Sequence, residues 1–378
     1  MTKPRAKKKA APAEAGTAGD DDRRFMAAAI RLSRSHLGLT STNPSVGTLI
    51  VKDGIIIGRG VTAIGGRPHA ETQALAEAGN AARGATAYVT LEPCAHHGRT
   101  PPCADALVTA GITRVVGAAA DPDDRVSGRG YAILRNAGIE VVEGVLAEEA
   151  ADLMAGYLTR SSKKRPEVTL KLAVSSDGMI GRKGAGQIGV TGGISRALVH
   201  LMRAQSDAIL VGIGTVEADD PELNCRLPGL TDRSPVRIVL DREARLPMMS
   251  KLALSARSLP LYVAAGPEAK PVRRSSLEML GVVFLATETH EGRIALPELL
   301  EDLAGKGITT VLVEGGAATA RAFLDDGMVD RIALFQGPNP IGEGGIASPL
   351  TFETIPEGFR LVRQARYGLD HYREWVKD

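Results

Sequence analysis

The fold of the first half of the chain is decided by residues 69–103, which begin with His69-Ala70-Glu71 and end with Pro93-Cys94-Ala95-His96-His97-Gly98-Arg99-Thr100-Pro101-Pro102-Cys103. One imidazole and two thiolates suit Zn²⁺, and three protein ligands leave a fourth position open for water. Zinc lowers the pKa of such a water from roughly 15.7 to about 7. We therefore interpret His69, Cys94 and Cys103 as candidate ligands of a catalytic zinc ion.

Glu71 is the candidate proton shuttle. Residues 70–76 are predicted to be helical, which places Glu71 and His69 at the first helical turn. A carboxylate beside an activated water can accept the water's proton and pass it to a departing amine. Nucleobase deaminases combine His and Cys ligands with a Glu that is not a ligand. The pattern therefore predicts hydrolytic deamination.

The spacing of the two cysteines departs from that of the nucleobase deaminases. Eight residues separate Cys94 from Cys103, where the deaminase signature has two. Pro93 and Pro101-Pro102 favour helix starts at the two cysteines, so that the longer loop can still close on one metal ion.

Two other interpretations of the motif stay open from the residues alone. A structural zinc site would take a fourth ligand from His96 or His97, but it gives Glu71 no role. A disulfide between the two cysteines leaves His69 unexplained. We favour the catalytic zinc.

Composition bounds the class of protein. At 378 residues the chain is long enough for two domains, and 44% hydrophobic residues can fill two cores. A net charge of +2 and 3% aromatic residues argue against a nucleic-acid partner. Three cysteines form no disulfide framework, which indicates a reducing cytoplasm. No apolar run approaches the roughly 18 residues of a membrane span.

Strands alternate with helices along most of the chain, which predicts layered α/β architecture. Residues 1–20 are expected to be a disordered basic tail without the apolar segment of a signal peptide. The polar stretch Arg160–Pro166 is predicted to separate a zinc deaminase domain, residues 21–162, from a second domain, residues 166–378.

The second domain contains two glycine-rich turns after apolar strands. Glu314-Gly315-Gly316 follows Thr310–Val313, and Gly212-Ile213-Gly214-Thr215 follows Ala208–Val211. Such turns let a backbone approach a phosphate. Neither turn has the spacing G-x-G-x-x-G, so a Rossmann domain is not predicted. A nucleotide site and a plain tight turn both remain open.

Taken together, these motifs resemble the bifunctional deaminase/reductase family of riboflavin biosynthesis, from about Phe25 onwards. The deaminase motifs are Asn43-Pro44-x-Val46-Gly47, the His69 motif and the Cys94–Cys103 motif, whose eight-residue spacing is the family's own. The reductase motifs are Arg203-Ala204-Gln205-Ser206-Asp207-Ala208-Ile209, Gly214-Thr215-Val216-x-Ala218-Asp219-Asp220-Pro221 and Glu314-Gly315-Gly316.

The resemblance implies a cytidine-deaminase-like three-layer α/β/α domain followed by a dihydrofolate-reductase-like α/β domain. It implies zinc-dependent deamination of a phosphoribosyl diaminopyrimidine, then reduction of its ribosyl group to a ribityl chain by NADPH. A cytoplasmic homo-oligomer, dimer or tetramer, without nucleic-acid or membrane partners, is expected.

The resemblance also implies roles for residues. Zinc would be held by His69, Cys94 and Cys103, with Glu71 as the proton shuttle. NADPH would be lined by Ala173, Gly189, Thr215, Asp219, Arg242 and the turn from Gly316. The substrate would be held by Asn43, Gln187, Arg203, Leu223, Arg226 and Glu314. Two positions depart from the family: Thr62 stands where many members carry a His, and Gly189 where many carry a Trp.

Two rival hypotheses predict different surfaces. A base deaminase of the tRNA-editing type would need a basic, aromatic face, which this composition does not indicate. A non-catalytic zinc module would need a fourth protein ligand on the metal.

Overall fold

The structure is a computed structural model that describes residues 18–97, 101–123 and 125–378. The predicted basic tail before residue 18 and motif residues 98–100 lie outside the described residues. The chain divides into two compact units, one ending at Lys163 and the other beginning at Lys164. Among the described residues, no helix is long and apolar enough to cross a membrane.

The first unit contains a sheet of five strands in the order β2-β1-β3-β4-β5. The strands are β1 (Gly47–Lys52), β2 (Ile55–Val61), β3 (Thr86–Leu91), β4 (Arg114–Ala119) and β5 (Glu140–Val142). The helices of its described part are α1 (Asp20–Ser33), α2 (Ala70–Ala78), α3 (Cys103–Ala110), α4 (Arg129–Asn136), α5 (Ala147–Leu153) and α6 (Ala155–Lys163). Strands β3, β4 and β5 are parallel, and β1 is antiparallel to both of its neighbours.

Helices cover both faces of this sheet. A side chain at Gly47 would meet the carbonyl of Ala29 in α1, whereas one at Gly60 would meet the carbonyl of Ala70 in α2. Gly60 pairs with Thr48, the residue after Gly47. Because successive residues of a strand face opposite sides, α1 and α2 lie on opposite faces. The predicted three-layer α/β/α arrangement is confirmed.

Helix α2 lies directly on β2 because that strand has glycines where the helix crosses. A Cβ on Gly60 would be 2.1 Å from the Ala70 carbonyl oxygen, and one on Gly58 would be 2.2 Å from that of Ala74. This contact fixes the start of α2, and His69 is its N-cap residue.

The second unit contains a nine-stranded sheet in the order β11-β10-β9-β8-β14-β6-β15-β18-β17. Its strands are β6 (Glu167–Val174), β8 (Ala208–Gly212), β9 (Val236–Leu240), β10 (Leu261–Ala265), β11 (Val283–Ala286), β14 (Thr310–Val313), β15 (Arg331–Gln336), β17 (Phe359–Tyr367) and β18 (Asp370–Lys377). The short strands β7 (Met179–Arg182) and β16 (Gly345–Ala347) pair, as do β12 (Thr289–His290) and β13 (Arg293–Ile294). The helices are α7 (Gly193–Gln205), α8 (Ile213–Asp219), α9 (Lys251–Leu254), α10 (Pro271–Glu278), α11 (Leu296–Gly305) and α12 (Ala317–Asp325).

The strands from β11 to β15 are parallel along this sheet, and β18 and β17 complete it in antiparallel pairing. The sequence predicts that the last residues add an edge strand to the sheet. This prediction is wrong, because the last strand, β18, lies between β15 and β17, and β17 forms the edge. Strand β17 is mostly exposed and rich in arginine, which hides its strand pattern from the sequence.

Three predicted boundaries differ from the structure. The sequence predicts that Asp21-Asp22 cap a first helix starting at Arg23, but the helix begins at Asp20, because Asp22 lies inside the first turn and its carboxylate accepts the N–H of Gly19. The sequence also predicts one helix over Glu148–Thr159, but this helix is interrupted at Met154, whose side chain is buried. The first residues of the predicted linker Arg160–Pro166 belong to α6, because the apolar part of that helix packs on the core and its polar part continues to Lys163.

We expect Gly60→Ala to lower the free energy of unfolding by about 1–3 kcal/mol, the usual cost of an overpacked contact. The added methyl group displaces α2, so bound zinc should also fall. Thermal unfolding and metal analysis measure the two effects. Gly181→Ala is the control, because a Cβ at that strand glycine would meet nothing within 4 Å. Equal melting temperatures for both variants would contradict the proposed close contact.

Candidate active sites

Three donor atoms converge in the first unit. The ligand atoms of His69, Cys94 and Cys103 all lie within 4.8 Å of one another. The His69 Nδ1 atom is 3.4 Å from the Cys103 Sγ and 3.8 Å from the Cys94 Sγ. One nitrogen and two sulfurs in this arrangement fit Zn²⁺ and leave room in its coordination for one more ligand.

Each donor is placed by a different element. His69 is the N-cap of α2, and Cys103 is the first residue of α3, after the N-cap Pro102. Cys94 follows strand β3 in a segment without helical structure, so the predicted helix start at Cys94 is wrong. The Cys103 backbone N–H donates to the Cys94 sulfur at 3.2 Å, which closes the loop between the two cysteines without a second helix.

Glu71 lies in the first turn of α2 with only 4% of its surface exposed. Burial raises the pKa of its carboxyl, and the neighbouring Cys94 raises it further. The Cys94 thiol has a pKa lowered to about 4, because the Cys103 thiol and then His69 donate hydrogen bonds to its sulfur. A buried carboxyl group with a raised pKa, next to a metal-ligand set, is suited to accept and release a proton.

The other two histidines of the motif are outside the donor group. Among the described residues, the Nδ1 atom of His96 is buried without a hydrogen-bond partner, and His97 is exposed. Neither belongs to the set of converging ligand atoms found in the described part of the chain.

Two buried acids near the motif were missed by the sequence analysis. The Glu92 carboxylate accepts the N–H groups of Gly128 and Gly130 at 3.0 and 2.9 Å, and this ties the residue before Pro93-Cys94 to the start of α4. Asp121 follows β4 and accepts the Tyr157 hydroxyl at 3.0 Å. Burial raises the pKa of both carboxyls. A sequence signal existed, since Glu92 directly follows the apolar strand β3 and Asp121 lies two residues after the end of the apolar strand β4.

Asn43 and Thr62 flank the segment that leads to His69. The Asn43 side chain packs against Gly66, where a Cβ would be 2.2 Å from the Asn43 Nδ2 atom. Thr62 is buried, and its hydroxyl accepts the N–H of Val46 at 2.9 Å. The side chain of Thr62 thus joins the residue after β2 to the residue before β1.

In the second unit, the Glu314 carboxylate lies between two cations, with 9% of its side chain exposed. It receives two hydrogen bonds from the Arg203 guanidinium, at 2.7 and 3.0 Å, and the Lys171 ammonium lies 3.4 Å away. Burial favours the neutral acid, but Lys171 and Arg203 outweigh it and lower the pKa of Glu314 to about 2. Lys171 was missed by the sequence analysis, because it lies inside an ordinary apolar strand, β6.

The two glycine-rich turns meet beside this cluster. The N–H of Gly316 donates to the Thr215 hydroxyl at 3.2 Å. Thr319 fills the space between the turns, since a Cβ on Gly212 or Gly315 would lie 2.4 or 2.6 Å from its side chain. Because β8 and β14 are adjacent and parallel, both turns lie at the carboxyl edge of the sheet, where α/β proteins bind ligands.

Asp219 is the last residue of α8, and burial raises the pKa of its carboxyl. It therefore lies one short helix beyond the carboxyl end of β8. The neighbouring Asp220, rather than Asp219, accepts the N–H of Lys251 at the start of α9.

The remaining predicted residues lie around the same edge. Ala173 is on β6, on the same face as Lys171, and Arg242 follows β9 and donates to the Gly292 carbonyl. A cavity of about 470 Å³ opens beyond β10 and β11 and is lined by Gly266, Arg274 and Thr287, among others.

The predicted substrate residues of the second unit, and Gly189, which was predicted to line NADPH, differ in exposure. Gln187 and Gly189 are exposed in the loop before α7. Leu223 has a buried side chain and a φ of 54°, so that only its backbone is available to a ligand. Arg226 is exposed and bonds Asn224 and Glu222.

Comparison with known proteins divides the chain into the same two units. Residues 20–119 match the cytidine and deoxycytidylate deaminase zinc-binding region, and residues 166–368 match the RibD C-terminal domain. The riboflavin biosynthesis protein RibD of Aquifex aeolicus is 40% identical over 343 residues, which cover 91% of this chain and 94% of the relative. The chain belongs to the RibD family. The RibD of Escherichia coli is 39% identical, over 85% of this chain and 89% of the relative.

Solved RibD structures agree with this assignment. Acinetobacter baumannii RibD, 39% identical, matches with a TM-score of 0.82 over 95% of this chain and 99% of its own. A diaminohydroxyphosphoribosylaminopyrimidine deaminase/5-amino-6-(5-phosphoribosylamino)uracil reductase from Thermotoga maritima, 36% identical, has the same TM-score and the same coverage.

The chain is therefore a bifunctional enzyme of riboflavin biosynthesis, with a zinc-dependent deaminase unit and an NADPH-dependent reductase unit. The predicted cytidine-deaminase-like and dihydrofolate-reductase-like folds are confirmed. The match extends over both units, which neither the base deaminase nor the non-catalytic zinc module explains.

We expect Glu314→Gln to lower the free energy of unfolding by on the order of 3–5 kcal/mol at neutral pH, because it leaves Lys171 and Arg203 facing each other without their anion. The folded pKa of Glu314 lies below its unfolded value of about 4.3. Its stabilising contribution is therefore present above that value and is lost as the pH falls towards 2. Denaturant unfolding at several pH values measures the difference between wild type and variant.

The exposed pair Glu222–Arg226 provides the control for this prediction. Glu222→Gln should change stability by less than about 1 kcal/mol, because solvent screens the pair. A stability difference for Glu314→Gln that persisted unchanged down to about pH 3, or one no larger than that of the control, would contradict the prediction.

Proposed function

We propose that the deaminase unit converts 2,5-diamino-6-(5-phosphoribosylamino)pyrimidin-4(3H)-one and water to 5-amino-6-(5-phosphoribosylamino)uracil and ammonia. The observation that carries the proposal is the buried Glu71 carboxyl beside the converging ligand atoms of His69, Cys94 and Cys103. The sequence similarity to the Thermotoga maritima deaminase/reductase supports this substrate.

His69, Cys94 and Cys103 would hold the zinc ion, which when bound supplies a Lewis acid that makes water nucleophilic near neutral pH. Glu71 takes the proton of the attacking water and delivers it to the amino group that leaves as ammonia. Its burial excludes bulk water and raises the pKa of its carboxyl above the ordinary value, which favours its holding the proton between the two transfers. Asn43, beside the loop that precedes His69, would hold the pyrimidine.

We propose that the reductase unit then reduces the opened ribosyl chain to give 5-amino-6-(5-phosphoribitylamino)uracil. NADPH supplies the hydride and would be held by Ala173, Gly189, Thr215, Asp219, Arg242 and the turn at Gly316. The substrate would be bound by Gln187, Arg203, Leu223, Arg226 and Glu314. Lys171 is added to this set, because its ammonium contacts Glu314 and shares a face of β6 with Ala173.

The two activities are proposed to reside in separable halves, with a boundary close to Lys164 and the predicted domain limits 21–162 and 166–378. A cytoplasmic location and a homo-oligomeric state, dimer or tetramer, are proposed from the family resemblance.

The decisive experiment supplies the diamino substrate with and without NADPH, and follows ammonia release and NADPH absorbance. Wild type should release ammonia in both conditions and consume NADPH only after deamination. Glu71→Gln should lower the rate of ammonia release by at least about a hundredfold, the lower range for general acid–base catalysis. Its reduction of pre-deaminated substrate should be normal. Near-normal ammonia release by this variant would remove Glu71 from the mechanism.

The zinc ligands are tested by metal analysis after dialysis. Cys103→Ser should lose zinc and deamination together, because a hydroxyl is a poor substitute for a thiolate ligand. Cys225→Ser is the matched control, since Cys225 is a buried thiol of the other unit, and it should keep a full complement of zinc. His96→Ala should keep its zinc as well. Full zinc occupancy in Cys103→Ser would show that Cys103 is not a ligand, and zinc loss in His96→Ala would show that His96 is one.

A further inference from the structure

The C-terminal hairpin reaches the loop that carries two of the proposed reductase residues. Asp370 is the first residue of β18 and follows the turn at Gly368. Its side chain is 2% exposed, and its Oδ2 atom accepts the N–H of Gly192 at 2.8 Å and the hydroxyl of Ser195. These partners lie more than 170 residues earlier in the chain, so the contact is purely tertiary.

Gly192 is the N-cap of α7 and has no side chain with which to cap the helix. In a capping box, a carboxylate at the third helical position accepts the N–H of the N-cap residue. In this unit Asp370 makes that bond from the C-terminal hairpin, and Ser195, at the third helical position, donates to the same oxygen. A carboxylate at a helix N-terminus also interacts favourably with the helix dipole.

The segment fixed by this bond is residues 183–192, between β7 and α7. Most of it is exposed, including Gln187 and Gly189. A second fixed point lies near its end, where the Val190 carbonyl oxygen packs against Gly337 so closely that a Cβ there would be 2.0 Å away. Gln187 and Gly189 therefore lie between the end of β7 and the two fixed residues, Val190 and Gly192.

The same bond also fixes the helix that carries Arg203. Arg203 lies in the last turn of α7 and donates to Glu314 and to the Asn224 carbonyl. Asp370 holds the first turn of that helix. Helix α7 is thus held at both ends. Its last turn is bound to Glu314 through Arg203, and its first turn is bound to the C-terminal hairpin through Asp370.

We infer that Asp370 is a positioning residue of the reductase, which holds the 183–192 loop and the start of α7 in the arrangement that binds substrate and NADPH. Asp370 acts through Gly192 and Ser195 and does not touch the reacting atoms. The inference rests on the proposed roles of Gln187 and Gly189.

The first test measures the loop without reference to catalysis. Arg182 and Lys183 are exposed at the start of the loop and are trypsin sites. Because proteolysis reports local opening, Asp370→Ala should be cut there at least about tenfold faster than wild type, the effect of losing one hydrogen bond to a charged group. The cleavage site is identified by mass spectrometry of the fragments.

The second test measures the site. Asp370→Ala should raise the KM for NADPH or for the deaminated substrate by about tenfold or more, with a smaller change in kcat. Asp370→Asn, which keeps an acceptor but loses the charge, and Ser195→Ala, which removes one donor, should give smaller changes in the same direction. They also preserve the test if Asp370→Ala does not fold. Ammonia release and zinc content should be unchanged in all three variants.

Glu374→Gln is the matched control. Glu374 lies on the same strand, β18, and bonds Arg331 and Tyr372 rather than the loop. It should leave both cleavage at residues 182–183 and KM unchanged. Equal effects of Glu374→Gln and Asp370→Ala would reduce Asp370 to a general stabiliser of the sheet and overturn the inference. The inference would also be overturned if Asp370→Ala were cleaved at the wild-type rate, or if it were cleaved faster but kept the wild-type KM.

The two levels of failure are distinguishable. If wild type consumed no NADPH with the deaminated substrate, the proposed reductase function would fail, while the proteolysis would still show whether Asp370 anchors the loop. If wild type is active and Asp370→Ala changes neither readout, the function stands and the positioning role fails.

Discussion

The common edge at which parallel strands end is the constraint on which both sites depend. Hydrogen bonding between parallel strands holds their carboxyl ends side by side, so that residues distant in sequence leave the sheet together. In the reductase unit, β14 ends beside the middle of β6, so that Glu314, the first residue after β14, lies level with Lys171 within β6. In the deaminase unit, β3 and β4 are paired in the same way, and the segments with Cys94 and Asp121 leave the sheet next to each other. The helices that follow then turn their first residues towards the same edge.

Two buried glutamates show how their surroundings decide the use of one side chain. Glu314 is held as an anion by Lys171 and Arg203, which makes it a fixed charge. At Glu71, burial and the neighbouring Cys94 outweigh the opposite effect of His69 and raise the pKa of the carboxyl, which makes it a group able to exchange a proton. The first arrangement suits orientation of a substrate, and the second suits proton transfer. The positions of the neighbouring charges, rather than the residue type, separate the two roles.

The sequence predicted what is encoded locally. The zinc ligands lie within 35 residues of one another, between His69 and Cys103, and their chemistry is legible from residue types alone. Asp53-Gly54 between two β-branched runs likewise predicts the hairpin of β1 and β2, and in the structure both residues adopt the positive φ that such a turn requires. Contacts between residues on neighbouring strands that are distant in sequence could not be predicted. Lys171 is one polar residue in an apolar strand, and nothing in its neighbourhood indicates a partner 143 positions away.

The exposed edge of the reductase sheet has a consequence for solubility at high concentration. In the part of the chain that the structure describes, no strand pairs with the outer side of β17, and an edge of this kind can recruit another strand and start fibrous aggregation. Arg360, Arg363 and Arg366 are exposed along this strand. An identical strand added to it would bring like charges together, and desolvating them would oppose the pairing. The arginines that hide β17 in the sequence thus protect the folded chain from self-association by strand addition.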